Sequence, residues 1–386
     1  MPTCHPELAR ATPRRHRRAV LALALGGVLL GGCTGPGVTT SPQPGDSAGA
    51  TVAGTATPSA SQTPASSPTS RPTPGSTPTS PGAEEPVQAG GRAYVDVAVA
   101  TGWRTPQAAR GVDGPALEDP VRVRDWIGAM SHDDIGGLIG AADSQLLLGD
   151  MVEVLALEGS WAQVIAPDQS SPLDPSGYPL WIPLAQLTGN EPVASTEVAT
   201  VVVPTTWLRS TDGTRVLEVS FGTRLPILAR AESAVEVALP DGSARWIEPQ
   251  AIAVAPSGAS PLPATPSAVI DSARAFIGLP YLWAGTSGFG FDCSGLVYSV
   301  YKAHGVLLPR DAGPQATVGV AVGRQELEPG DLVFFARDGS VHHVAIYVGG
   351  GEVLEAPSIG AAVRVVVLSA LPYASEYAGA RRVLAQ

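Results

Sequence analysis

Cys293 stands in Phe291-Asp292-Cys293-Ser294-Gly295, and His343 follows fifty positions later in His343-Val344-Ala345-Ile346-Tyr347. A thiol and an imidazole held together perform acyl transfer: the thiolate attacks a carbonyl and the ring moves the proton. That is the chemistry of a thiol peptidase. Leu296, Val297, Val300 and Tyr301 recur at i, i+3, i+4 spacing, which predicts a helix starting at Cys293. Unpaired backbone N–H groups and the positive end of the dipole are expected to acidify a thiol there. The run around His343 is apolar and β-branched and reads as a strand. Alternation sends His343, Ala345 and Tyr347 to one face and Val344, Ile346 and Val348 to the other, so one imidazole is aimed at the helix start. A lone cysteine is ordinarily inert packing; the helix start and the histidine strand favour the reactive reading.

The elements that must position this pair occupy the C-terminal third of a 386-residue chain, long enough for two or three domains. Arg10, Arg14, Arg15, Arg17 and Arg18 precede an apolar run from Ala19 to Leu30 that is too short to span a bilayer, which together make an export leader. It ends in Leu30-Gly31-Gly32-Cys33, similar to a bacterial lipobox in which Cys33 is acylated; ordinary secretory cleavage is the alternative. Residues 1–33 are assigned to this leader. Cys4 leaves with it, so the mature chain is expected to hold no disulfide. Residues 34–88, mostly Pro, Thr, Ser, Gly and Ala, cannot bury enough surface to fold and read as an extended tether or a glycosylated stalk.

Beyond the tether lie all seven tryptophans. Gly149 to Leu155 leads through Trp161 to Trp181-Ile182-Pro183, and Gly222 to Leu228 leads to Trp246-Ile247-Glu248-Pro249, with Asp241-Gly242 a hairpin turn. Two small β-barrels are expected, over residues 89–193 and 194–258, before a third domain over 263–386. Between Asp119 and Gly140 the period turns helical, with Ser131 and Asp134 a capping pair, as an insertion in the first barrel. Trp161, Trp181 and Trp246 read as core; Trp126, on the inserted helix, is a candidate for the site.

Other signals carry less. His342 points away from His343 on a strand, so no metal site is expected from the pair, and no cofactor is implied. His304-Gly305 reads as a helix C-terminus. Gly285 to Gly290 lacks the ending of a phosphate loop and reads as a flexible approach to the site. Acidic residues outnumber basic ones 35 to 24, a formal charge of −11, which argues against nucleic acid as a partner.

The motifs resemble the NlpC family of cell-wall cysteine peptidases, a papain-like group. The similarity runs from Gly278-Leu279-Pro280-Tyr281 through Phe291 to Val297, Leu308-Pro309-Arg310 and Leu327 to Phe335, then His343 to Gly349. The family's third catalytic position often reads Ile-His-Ala-Pro; here it reads Leu354-Glu355-Ala356-Pro357, and a carboxylate there suits the orientation of an imidazole. The barrels, with Trp103-Arg104-Thr105-Pro106 and Val164 to Gln169, resemble the bacterial SH3-like modules of one subgroup, the γ-D-glutamyl-diamino-acid endopeptidases. The fold implied is two all-β SH3-like barrels followed by an α+β papain-like domain, with helices from near Pro266 and Cys293 on an antiparallel sheet.

That resemblance implies hydrolysis of the γ-D-glutamyl to diamino acid bond of peptidoglycan stem peptides by a monomer tied to the membrane through its N-terminal lipid. Cys293, His343 and Glu355 are the expected catalytic residues, with the Cys293 N–H and the Tyr281 hydroxyl facing the oxyanion. Tyr281, Asp292 and Ser294 are expected to bind substrate, Asp292 either by pairing a free amine or as a helix cap. The first barrel is expected to narrow the site toward short peptides with a free N-terminus, Asp113 and Glu118 being acidic candidates by position. The alternatives are an inactive wall-binding scaffold and a hydrolase acting on intact wall at division.

Overall fold

The computed structural model describes residues 85–384. The leader with Cys33 and the tether as far as residue 84 lie outside the described residues. Two all-β units and one α+β unit follow one another along the chain.

The first unit is a seven-stranded sheet built from Arg92–Val95 to Leu187–Thr188, with every pairing antiparallel. Alternation supplies its aliphatic core of Val95, Val152, Val154, Val164, Leu180 and Ile182. The second sheet, also seven-stranded, runs from Glu197–Val201 to Ile252–Pro256 around Val201, Leu208, Val219, Leu225, Val237 and Ile247. Gly242, in a left-handed conformation, turns the hairpin between Val235–Ala238 and Ala244–Ile247.

Two short helices, Val123–Ala129 and His132–Gly136, form the insertion in the first unit. Ser131 and Asp134 cap the second of them reciprocally. The insertion has its own core, in which Trp103 and Trp126 meet at 6.4 Å with Leu138, and Trp161 and Trp181 pack onto it. Trp161 and Trp181 therefore cover the insertion instead of filling the barrel, whose interior is aliphatic apart from Tyr178. Trp246 is half-buried and outside the second core as well. An indole is too large for a small barrel already filled by branched aliphatic side chains.

In the third unit, Thr265 caps the helix Pro266–Arg274, and Pro266 takes its first position, where no N–H is needed. The helix Cys293–Ala303 packs Leu296, Val297 and Val300 against Val344, Ile346 and Leu354 of the sheet. That sheet is six-stranded and antiparallel, in the spatial order Val320–Val322, Tyr377–Arg382, Leu332–Arg337, Ser340–Gly349, Glu352–Glu355, Arg364–Val367. Its other side carries Phe335, Ala345 and Val353 under Leu368 and Leu371. No helix among the described residues is long and apolar enough to cross a membrane.

The first unit grips the third through polar side chains. Trp283 donates its indole N–H to the Ala142 carbonyl at 2.9 Å, and Gln145 bonds Thr286 and Ser287. From the second unit, Ser220 Oγ accepts the Gly288 N–H at 2.8 Å, and a Cβ on Gly288 would sit 1.9 Å from the Pro204 carbonyl oxygen. The segment Gly285 to Gly290, expected to be a flexible approach, is thus a buried hairpin held by both β units. Its glycines serve close approach.

Candidate active site

Asp292 accepts the Gly295 N–H at 2.6 Å, which makes Cys293 the first residue of its helix. The same carboxylate is gripped by Arg310, Nη2 to Oδ2 at 2.6 Å and Nη1 to Oδ1 at 3.1 Å. Arg310 is 1% exposed, also reaches the Ser294 hydroxyl at 3.1 Å, and donates from Nε to Ser144 of the first unit at 2.8 Å. Of the two readings of Asp292, the cap is the one the geometry fills. A carboxylate so committed is poorly placed to pair a substrate amine, and Ser294 lies in the same network.

His343 sits on the strand Ser340–Gly349, opposite Phe335, and is buried. Its Nε2 lies 2.8 Å from Glu355 Oε2 and 3.2 Å from the Tyr373 hydroxyl. Cys293 also hydrogen-bonds the ring, and with Nε2 committed to the carboxylate, Nδ1 is the nitrogen left for the sulfur. Burial works against a charged ring here. The hydrogen bonds and charges of Cys293 and Glu355 outweigh it and push the His343 pKa up to about 9. The arrangement holds a protonated imidazole beside sulfur at neutral pH, the state from which a thiolate attacks and a leaving amine is protonated.

Burial alone would raise the Glu355 pKa; hydrogen bonds from His343 and Tyr373, the His343 charge and an Arg364 hydrogen bond hold it below its usual range instead. The residue is fully buried. Tyr281 comes beside the sulfur through a bridge to Phe291 and a backbone bond to Ala361. Burial, then the charges of Cys293 and Asp292, push its pKa well above the ordinary value, so its hydroxyl keeps its proton and remains a donor.

The neighbouring His342 is an exposed surface residue 2.6 Å from Glu376. His304 caps its helix, with its ring between Ser272 and the Pro263 carbonyl. Asp113 and Glu118 do not face the site. Asp113 is fully buried between Arg110 and the Trp126 indole, and Glu118 pairs with Arg122 at 2.7 Å. Trp126 is therefore core of the insertion. Its indole N–H donates to Asp113 at 2.9 Å inside that core.

The acidic group the first unit does bring to the third is Asp143, itself paired with Arg104 at 2.8 Å. Asp311, next to Arg310, hydrogen-bonds Tyr178 and feels the charges of Asp292 and Asp143. Burial first, opposed by Arg310, keeps the Asp311 pKa above its ordinary value. Sequence reasoning missed this cluster together with Arg364 and Tyr373. Only the nine-residue spacing from Glu355 to Arg364, read as a strand pair, carried a signal.

Comparison with known proteins gives the same outline. The NlpC/P60 family profile matches residues 278–382, and the YKFC SH3b2 domain profile matches residues 201–254. The chain is 40% identical over 317 residues to a gamma-D-glutamyl-L-lysine dipeptidyl-peptidase of Bacillus cereus, covering 79% of this chain and 94% of the relative. A Bacillus subtilis protein of the same name is 38% identical over 290 residues, covering 74% of this chain and 96% of that one. A crystal structure of an NlpC/P60 family protein from Bacillus cereus superposes with a TM-score of 0.72 at 39% identity, over 76% of this chain and 100% of the other.

Proposed function

The chain belongs to the NlpC/P60 family of cysteine peptidases, and on that premise we propose that it hydrolyses the bond between the γ-D-glutamyl residue and the diamino acid of short peptidoglycan stem peptides. The observation that carries the reading is one buried imidazole hydrogen-bonded by both a cysteine at a helix start and a glutamate. Cys293 is the nucleophile, His343 the proton carrier and Glu355 its orienting partner. The two Bacillus relatives, named for a γ-D-glutamyl-L-lysine bond, support the substrate class.

In the first half-reaction the Cys293 thiolate adds to the γ-carbonyl carbon. The oxyanion meets the Cys293 N–H and the Tyr281 hydroxyl, each such donor being worth about 10²–10³ in rate. His343 gives its proton to the departing amine, leaving a thioester. The neutral ring then takes a proton from water as it attacks, and the collapse returns the sulfur and frees the γ-carboxylate.

The free amine of the peptide is taken by Asp311 with Tyr178. A carboxyl held above its ordinary pKa by burial and by neighbouring carboxylates is under-compensated, and a cation beside it relieves that. Because Tyr178 comes from the first β unit, that unit selects for short peptides. The domain limits 89–193, 194–258 and 263–386, with export and acylation at Cys33, complete the proposal.

Incubating the protein and Cys293→Ala with L-Ala-γ-D-Glu-diamino acid tripeptide, its N-acetyl form and intact sacculi tests it. Release of free diamino acid from the unblocked tripeptide, absent in the variant, is the expected result. Equal release by the variant, or release only from sacculi, overturns the reading.

A further inference from the structure

Glu355 ends the strand Glu352–Glu355 directly opposite Arg364 of Arg364–Val367. Arg364 donates from Nε and Nη2 to Oε1, at 3.0 and 2.8 Å. The other oxygen, Oε2, faces His343 Nε2 and accepts the Tyr373 hydroxyl proton. Tyr373 is itself wedged edge-on against Phe335 and His343, with ring centroids 5.0 Å from each. Both carboxylate oxygens are therefore held, each by a different partner beyond the histidine.

We propose that Arg364 and Tyr373 are positioning residues for the reaction: Arg364 fixes one oxygen of Glu355 and Tyr373 the other, so that Oε2 stays turned to the His343 Nε2–H. The inference rests on the assignment of Cys293, His343 and Glu355 made above. A glutamate has a terminal torsion with broad, two-fold freedom, and a carboxylate tied at one oxygen alone can swing. Arg364 places both of its N–H donors on Oε1, and the torsion is fixed because Tyr373 and His343 hold Oε2 at the same time. Buried without a cation, the same carboxylate would also compete for the proton the imidazole must carry. Arg364 supplies the cation at the edge of the site, where its own side chain remains 44% exposed and costs little to desolvate.

The loop between the two arms, residues 356–363, is braced from the first β unit. Ile359 packs into the cluster around Trp126, and a Cβ on Gly360 would press within 3.0 Å of the His132 ring. The separation of Glu355 and Arg364 is thus set from both the sheet and the insertion.

The test is a double-mutant cycle on the tripeptide reaction, measuring kcat and KM separately for Arg364→Met, Arg364→Lys, Tyr373→Phe, Glu355→Gln and Glu355→Gln with Arg364→Met. Arg364→Met is expected to lower kcat about tenfold with KM nearly unchanged, the size of one charge-assisted bond partly screened by solvent. Lysine at 364 recovers part of the loss, Tyr373→Phe lowers kcat several-fold, and in the Glu355→Gln background Arg364→Met costs nothing further. A parental kcat in Arg364→Met, or the same loss with and without the Glu355 carboxylate, overturns the inference. Cys293→Ala separates the two levels: if it retains activity the catalytic assignment falls, and if it is dead while Arg364→Met is parental only the positioning role falls.

Discussion

Replacing Arg310 by Met tests how the helix start that carries Cys293 is held. The guanidinium is 1% exposed, and Asp292, its partner, is 10% exposed in its side chain. Removing one member of a buried pair leaves the other uncompensated, which costs roughly 3–5 kcal/mol. Asp292 keeps its bonds from Gly295 N and Ser294 Oγ, so the lower part of that range applies to the charge itself. The bond to Ser144 across to the first β unit adds about 1 kcal/mol. The sum, roughly 4 kcal/mol, corresponds to a fall of about 10 °C in the melting temperature for a chain of this size. Calorimetry of the parent, Arg310→Met and Arg310→Met with Asp292→Asn is the assay. The double variant removes the orphaned charge and is expected to recover about half of the loss. If Arg310→Met melts within about 2 °C of the parent, or the double variant melts no higher than the single one, the orphaned-charge account is wrong.

Other consequences follow from the same geometry. The folded His343 pKa, about 9 against an ordinary 6.5, is a raised one, so the charged ring contributes stability fully present below pH 6.5 and lost as pH rises through 9. The alkaline limb of kcat/KM is accordingly expected near pH 9, and Glu355→Gln should move it about one unit lower; a limb that stays in place refutes control of the ring by the carboxylate. Asp311→Asn is expected to raise KM about tenfold for the tripeptide with a free amine and to leave the N-acetyl form untouched, measured by initial rates. An equal effect on both peptides would remove Asp311 from amine recognition. Gly295→Ala would place a Cβ 2.0 Å from the Gly285 carbonyl oxygen and 3.0 Å from Asp292 Oδ1. It should cost several kcal/mol and slow labelling of Cys293 by a thiol reagent; parental melting and labelling would show that the loop yields easily.

Local pattern carried the sequence reading a long way. The i, i+3, i+4 run after Cys293 and the cap at Asp292 locate a helix start, and period-two alternation separates His343 from His342, as the buried and surface positions of the two rings show. The two segments closed by Trp-Ile, with the Asp241-Gly242 turn, likewise pointed to two all-β units. What failed were statements about which side chains meet across the fold. Asp113 is an acidic residue near the start of the insertion and nothing local reveals that Arg110 and Trp126 enclose it. The glycines from 285 to 290 suggest freedom, whereas their lack of side chains lets Pro204 and Leu282 press against them. Arg364 meets Glu355 through the register of two consecutive strands, and Tyr373 through a turn after the second of them, and local residue pattern fixes neither the register nor the turn.

The third position of the site shows why a carboxylate can stand where a histidine often does. With sulfur as thiolate and the ring charged, a neutral third residue leaves the cluster neutral, while a glutamate adds a buried negative charge. Burial of that charge in a closed pocket would ordinarily push its proton affinity up and turn it into a rival for the imidazole proton. Arg364 cancels the charge from the exposed side, and Tyr373 occupies the remaining lone pair without adding charge of its own. A substitution at 355 alone, toward histidine, would therefore leave Arg364 facing a ring it repels when protonated. On the proposed catalytic assignment, the glutamate and the arginine set opposite it by the strand pairing act as one unit of charge balance.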